Sequence, residues 1–241
     1  MKKIALEEHF ITKSLLEYTQ NSDFLAMNQS HVIDFQEWLL DIDHLRLEAM
    51  DQAGIEISVL SMTDPGLQEK MLDAKTATAQ AQEANEYLAG RIGKFPRRFR
   101  GFAALPMQDP KAATKELERC VREYGFLGAM INGQTDGCYL DDEKFYPFWE
   151  KVQELDVPIY LHPGSPQEMP ENYSGCDELA GALWGWTVET GTHALRLIFN
   201  GIFDRYPKVK VILGHLGETL PFLRWRFDSR WGIVKHAKEL K

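Results

Sequence analysis

Cysteine is scarce in this sequence of 241 residues. The three present, Cys120, Cys138 and Cys176, form an odd set without CxxC spacing, which excludes a disulfide framework and a cysteine zinc site. Long hydrophobic runs are lacking as well: Leu195–Phe203 is interrupted by Arg196 and Asn200 and falls short of the roughly 18 residues that a membrane span requires. The N-terminus, Met1-Lys2-Lys3-Ile4-Ala5-Leu6, is basic, but Glu7, Glu8 and His9 follow before a signal-peptide apolar core could form, so a cytoplasmic location is expected. Positive charge is in deficit. With 27 Lys+Arg against 36 Asp+Glu the formal net charge is −9, and the average surface repels nucleic-acid phosphates and anionic membranes. Neither GxGxxG nor GxxxxGK[ST] follows the first apolar run, so the usual nucleotide-binding open sheets lose their signature.

What is present is a regular alternation of short apolar runs with longer helical patterns, the mark of βα units and a parallel sheet. Six strands are predicted: Lys3–His9, Glu56–Ser61, Arg100–Leu105, Gly128–Asn132, Pro158–His162 and Lys208–Gly214. Helices are predicted over Asp43–Ala53, Lys75–Ile92, Pro110–Tyr124, Phe145–Leu155 and Thr187–Phe203, with a last one from about Leu220. Asp109 before Pro110 reads as an N-cap, and Gly54 and Gly125 sit where a helix must stop. The segment Ile11–Ile42 is an insertion after the first strand, and Phe24, Phe35 and Trp38 suggest that it folds over something. With no repeat or linker, one domain is expected.

The polar residues choose the architecture. Glu7 and His9 end the first strand, His162 ends the fifth and His215 follows the sixth. Groups gathered at the C-terminal ends of several strands are characteristic of a (β/α)8 TIM barrel, here with about six of the βα units and the last two expected to be absent after Lys241. Glu7 and His9 are two residues apart and leave a strand on one face with Ala5. A carboxylate beside an imidazole is half of a divalent-metal site, or equally a buried hydrogen-bonded pair. His162 is followed by Pro163 and Gly164, which turn the chain. His215 lies between Gly214 and Gly217, which would let the backbone approach a ligand, and can serve as a general acid or base. Glu218 can orient it, or be a first-turn carboxylate favoured by the helix dipole. Arg226 offers a planar fork to a carboxylate, or pairs with Asp228. Trp184 and Trp186 can wall an aromatic pocket or belong to the core. His31, His44, His193 and His236 read as structural.

Taken together, Ile4-Ala5-Leu6-Glu7-Glu8-His9-Phe10, Phe102-Ala103-Ala104-Leu105-Pro106-Met107-Gln108-Asp109-Pro110, Leu155-Asp156-Val157-Pro158-Ile159-Tyr160-Leu161-His162-Pro163, His193-Ala194-Leu195-Arg196-Leu197, Leu213-Gly214-His215-Leu216-Gly217-Glu218 and Trp225-Arg226 resemble the decarboxylase branch of the amidohydrolase superfamily. That branch removes CO2 from hydroxybenzoates such as gamma-resorcylate and 2,3-dihydroxybenzoate. The resemblance implies that Glu7, His9 and His162 bind one divalent ion, Zn or Mn, with no organic cofactor. It implies that His215 lies beside a small aromatic carboxylic acid with Glu218 near it, that Arg226 fixes the carboxylate end, and that Trp186 and Phe24 line the substrate pocket. A homo-oligomer, dimer or tetramer, is expected. Where that branch carries Arg-Asn-Pro after His-Pro, this chain has Gly164-Ser165-Pro166, and the branch's last-strand aspartate, a metal ligand and proton donor, is expected to be missing with the last two units. Two alternatives follow: a hydrolase of the same superfamily acting on a lactone or amide, if Gly164 opens the pocket, and an inactive remnant that needs partners to cover an open barrel edge.

Overall fold

The computed structural model describes residues 2–19, 32–64, 66–68, 72–164, 166 and 168–239. Six strands form one sheet in the order of the sequence: β1 (Lys3–Phe10), β2 (Ile55–Met62), β3 (Phe99–Ala104), β4 (Gly128–Asn132), β5 (Pro158–His162) and β6 (Lys210–Leu213). Every neighbouring pair is parallel. The helices are α1 (Lys13–Thr19), α2 (Val32–Leu40), α3 (Leu45–Ala53), α4 (Ala74–Lys94), α5 (Pro110–Tyr124), α6 (Tyr146–Leu155), α7 (Gly185–Phe199), α8 (Ile202–Arg205) and α9 (Leu220–Glu239).

Local chemistry sets the element ends. The Asp109 side chain accepts from the Lys111 and Ala112 amides at the start of α5, and Gly54 and Gly125 end α3 and α5 in the left-handed conformation that a side chain resists. The single helix expected over Thr187–Phe203 is instead two. Asn200 closes α7, and Gly201, at φ 76°, turns the chain before α8. The Ile11–Ile42 insertion holds α1 and α2, with Leu15 and Leu39 in the core but Trp38 65% exposed, so most of the Trp38 side chain faces solvent. Phe24 and the Phe35 side chain lie outside the described residues.

Two apolar layers clasp the sheet. The large outer one, including Phe99, Trp149, Phe148 and Leu117, packs helices onto strands. On the other side Val59, Phe102, Met130 and Tyr160, with Ile212 against them, supply one residue from each of β2 to β6, the alternate positions that face inward. The sheet curls strongly. β1 and β5 are four strand steps apart, about 19 Å in a flat sheet at ~4.8 Å per step, yet the Tyr160 hydroxyl on β5 hydrogen-bonds Glu7 on β1. This is the six-stranded arc of a (β/α)8 barrel, and it points the inner side chains of distant strands at one another.

Candidate metal centre and active site

Glu7 owes its placement to an irregularity. Ala5 pairs with Ser58 and Glu8 with Leu60, so β1 inserts one extra residue between them. Such a bulge re-aims side chains and recurs beside active sites. It breaks the simple Ala5–Glu7–His9 alternation expected from the sequence, while Glu7 and His9 both still face the interior. Glu7 Oε1 lies 3.5 Å from His162 Nε2 and 4.0 Å from His9 Nε2. The ligand atoms of Glu7, His9 and His162 all fall within 4.8 Å of one another. The rings of His9 and His162 meet edge to face with centroids 4.8 Å apart.

The donor set fits a divalent cation. His162 Nδ1 is 2.9 Å from the Pro163 carbonyl, which only an N–H can satisfy. Its Nε2 then either carries a second proton toward Glu7 or turns a lone pair to a cation shared with Glu7 and His9. Burial, followed by the charge of His162, lowers the His9 pKa from 6.5 to about 4, so this imidazole keeps a lone pair at neutral pH. Burial opposes ionisation of Glu7, but hydrogen bonds from His162 and Tyr160 and the charges of His162 and His215 outweigh it and bring the pKa from 4.5 to about 2. The Tyr160 phenol is pushed up by burial and by Glu7, and stays a donor.

His215 approaches from the turn after β6. Its Nε2 is 3.1 Å from Glu7 Oε1 and its Nδ1 is 2.9 Å from Glu218 Oε1. Its ring meets that of His162 at 5.3 Å and that of Trp186 at 5.9 Å. The structure therefore brings Glu7, His9, His162, His215, Glu218 and Trp186 together. Arg226 stands apart: it is exposed on α9, and among the described residues no hydrogen bond or ion pair joins its side chain to the cluster or to Asp228. Glu218 precedes α9 rather than opening it, and its carboxylate faces His215, so the helix dipole does not account for it.

Both glycine readings change. A Cβ on Gly214 would meet the Leu161 carbonyl and Pro163 Cδ at 3.2 Å, so Gly214 is there for contact with β5, not for a ligand. A Cβ on Gly164 would meet the Asn132 carbonyl at 2.9 Å and Gly133 Cα at 3.0 Å. The space that Gly164 leaves is filled by the end of β4, so it does not enlarge the pocket. Sequence reasoning missed Tyr160 and Thr187, whose hydroxyls reach Glu7 and Glu218. Tyr160 carried one signal, its position two residues before His162 on the inner face.

Comparison with known proteins agrees with this geometry. The Amidohydrolase family model matches residues 29–234. Gamma-resorcylate decarboxylase from Polaromonas sp. (strain JS666) is 45% identical, over 97% of this chain and 72% of its own length. A crystal structure of 2,6-dihydroxybenzoate decarboxylase complexed with 2,6-dihydroxybenzoate superimposes with a TM-score of 0.89 at 43% identity, covering 98% of this chain and 73% of that one. A dihydroxybenzoic acid decarboxylase from Polaromonas sp. JS666, with bound manganese and the inhibitor 2-nitroresorcinol, gives 0.84 at 45% identity, covering 95% and 70%. The chain belongs to the amidohydrolase family and, within it, to the decarboxylase branch.

Proposed function

We propose that the protein catalyses the metal-dependent, non-oxidative decarboxylation of a hydroxybenzoate-type acid, with Glu7, His9 and His162 holding one divalent ion, Zn or Mn. The observation that carries this reading is the convergence of those three ligand atoms within 4.8 Å at the C-terminal ends of β1 and β5, with His215 3.1 Å from the shared carboxylate. The relatives named above act on, or are bound to, dihydroxybenzoates. A divalent ion held by Glu7, His9 and His162 would supply Lewis-acid charge stabilisation to the bound acid.

The chain's own residues supply the proton and the positioning. His215 as imidazolium gives a proton to the ring carbon that bears the carboxylate. The carbon–carboxylate bond then breaks, its electron pair returns to the ring, CO2 leaves, and solvent reprotonates the imidazole. Glu218, whose Oε1 lies 2.9 Å from His215 Nδ1, is assigned the role of orienting that ring. Tyr160 holds Glu7 in one orientation. Trp186 and Phe24 are assigned to the pocket wall; the assignment of Arg226 to the carboxylate end of the acid rests on the family resemblance alone, since its exposed side chain stands apart from the cluster. We place the enzyme in the cytoplasm and, on the exposed apolar side chains of Leu216, Phe222 and Trp225, as a dimer or tetramer. Among the described residues no helix is long and apolar enough to cross a membrane.

The test is elemental analysis of the purified chain together with CO2 release from 2,6-dihydroxybenzoate and 2-hydroxybenzoate, before and after chelation and after addition of Mn or Zn. About one ion per chain, with release that chelation abolishes and metal restores, is expected. Turnover indifferent to metal, or ring opening of a lactone without CO2 release, would replace this reading with another.

A further inference from the structure

The turn that carries His215 is backbone under strain. His215, Leu216 and Glu218 have φ values of 47°, 58° and 54°, in the left-handed region that costs a non-glycine residue energy and persists where surrounding contacts impose it. The contacts here converge on the Glu218 carboxylate. Its Oε2 accepts a hydrogen bond from Thr187 Oγ1 at 2.5 Å, while its buried Oε1 lies 2.9 Å from His215 Nδ1, within ion-pair reach but off the line of a hydrogen bond.

Thr187 comes from the first turn of α7, a helix fastened elsewhere. Arg196 grips Asp141 through two hydrogen bonds of 2.8 Å, and Tyr139 donates to Glu189 at 3.0 Å. One hydroxyl thus ties an anchored helix to the strained turn. We infer that Thr187 is a positioning residue for proton transfer, a role that rests on the reading of His215 as the acid. With Oε2 held by Thr187, the Glu218 carboxylate keeps Oε1 beside His215 Nδ1, 2.9 Å away. That contact favours a proton on Nδ1 and leaves Nε2 toward the reaction space, where it already lies 3.1 Å from Glu7 Oε1. Without the hydroxyl, the carboxylate of Glu218 is free to rotate toward water, and His215 loses both its carboxylate neighbour and its orientation.

Thr187→Val keeps the shape and removes the hydroxyl, and Thr187→Ser restores it. In the full, metal-loaded chain Thr187→Val is expected to lower kcat about tenfold with KM and metal content little changed, and Thr187→Ser to recover most of the loss. A second readout needs no turnover: the Nδ1–H of His215, held beside the Glu218 carboxylate, is expected as a downfield proton resonance in the wild type and Thr187→Ser, and lost or broadened in Thr187→Val. If the wild type releases no CO2, the decarboxylase reading fails while this resonance still decides the placement of Thr187. A resonance absent from the wild type, or unchanged in Thr187→Val, overturns the proposal. So does an unchanged kcat in Thr187→Val, or Thr187→Ser as impaired as Thr187→Val.

Discussion

The molecule gathers tyrosine, glutamate and histidine twice, with opposite results. At the barrel mouth Tyr160, Glu7, His9 and His162 converge from β1 and β5. Behind α7, Tyr139 donates to Glu189, and His193 Nε2 accepts the Leu140 amide at 3.0 Å. In the first group burial of the glutamate is outweighed and its pKa falls to about 2, whereas in the second burial prevails and the pKa of Glu189 rises. The difference lies in what the imidazoles face. His162 and His215 turn nitrogens to Glu7, while His193 spends its lone pair on a backbone N–H and offers Glu189 no charge. Residue type alone does not make a metal site; convergent, uncommitted donor atoms do.

The sharpest break of that comparison is removal of the glutamate from each group. Glu7→Gln and His162→Ala are expected to lose bound metal and CO2 release together, with affinity down at least ~100-fold, while Glu189→Gln keeps the metal content of the wild type. Elemental analysis of the three purified variants decides it. Retention of about one ion in both of the first two would remove Glu7 and His162 from the site.

Next in size is a separation of metal from chemistry within the barrel mouth. His215→Asn keeps a polar side chain but removes the acid, and is expected to lower kcat by roughly 10²- to 10⁴-fold with metal retained. Metal loss in parallel with activity would instead make His215 a ligand.

How far the sequence foretold these groups depends on the range of the cause. Strands β4 and β5 and helix α5 were legible to the residue because their punctuation is local: the Asp109 cap before Pro110, the stop at Gly125, the Pro163-Gly164 turn after His162. Glu7, His9 and His162 were legible as strand-end groups. The break at Gly201 was hidden inside an apolar run that reads as one helix. The bulge at Glu7 depends on the partner strand, and the reach of Thr187 to Glu218 spans 31 positions. Gly164 and Gly214 look like openings for a ligand until the neighbouring strand is placed against them.

The second group can be loosened without touching the first. Asp141 is buried, with a side chain 4% exposed, and its carboxylate is held by Arg196 and Asn200. Arg196→Met removes the bidentate partner and leaves a buried carboxylate under-satisfied, an expected loss of about 1–2 kcal/mol. Denaturant melts measure it. Since α7 carries Thr187 and Trp186, kcat is expected to fall slightly while metal content stays constant. Unchanged stability would mean that Asn200 and solvent suffice to hold Asp141.

The smallest effect is the pH response of His193. Burial lowers its pKa from 6.5 to about 3, against a raising influence of Asp141, so the folded protein keeps this imidazole neutral where the unfolded chain protonates it. The unfolded state binds more protons below pH 6.5, and stability therefore falls as the pH drops through that value, continuing toward the folded pKa. Between pH 7 and pH 6 the contribution is under about 1 kcal/mol, because only the first part of the titration is crossed. His193→Gln retains an acceptor for the Leu140 amide and removes the titration. Its unfolding free energy, measured at both pH values, is expected to decline less than that of the wild type. Equal declines would show that His193 takes up protons alike in the folded and unfolded chain, and the contrast between the two Tyr–Glu–His groups would then rest on geometry alone.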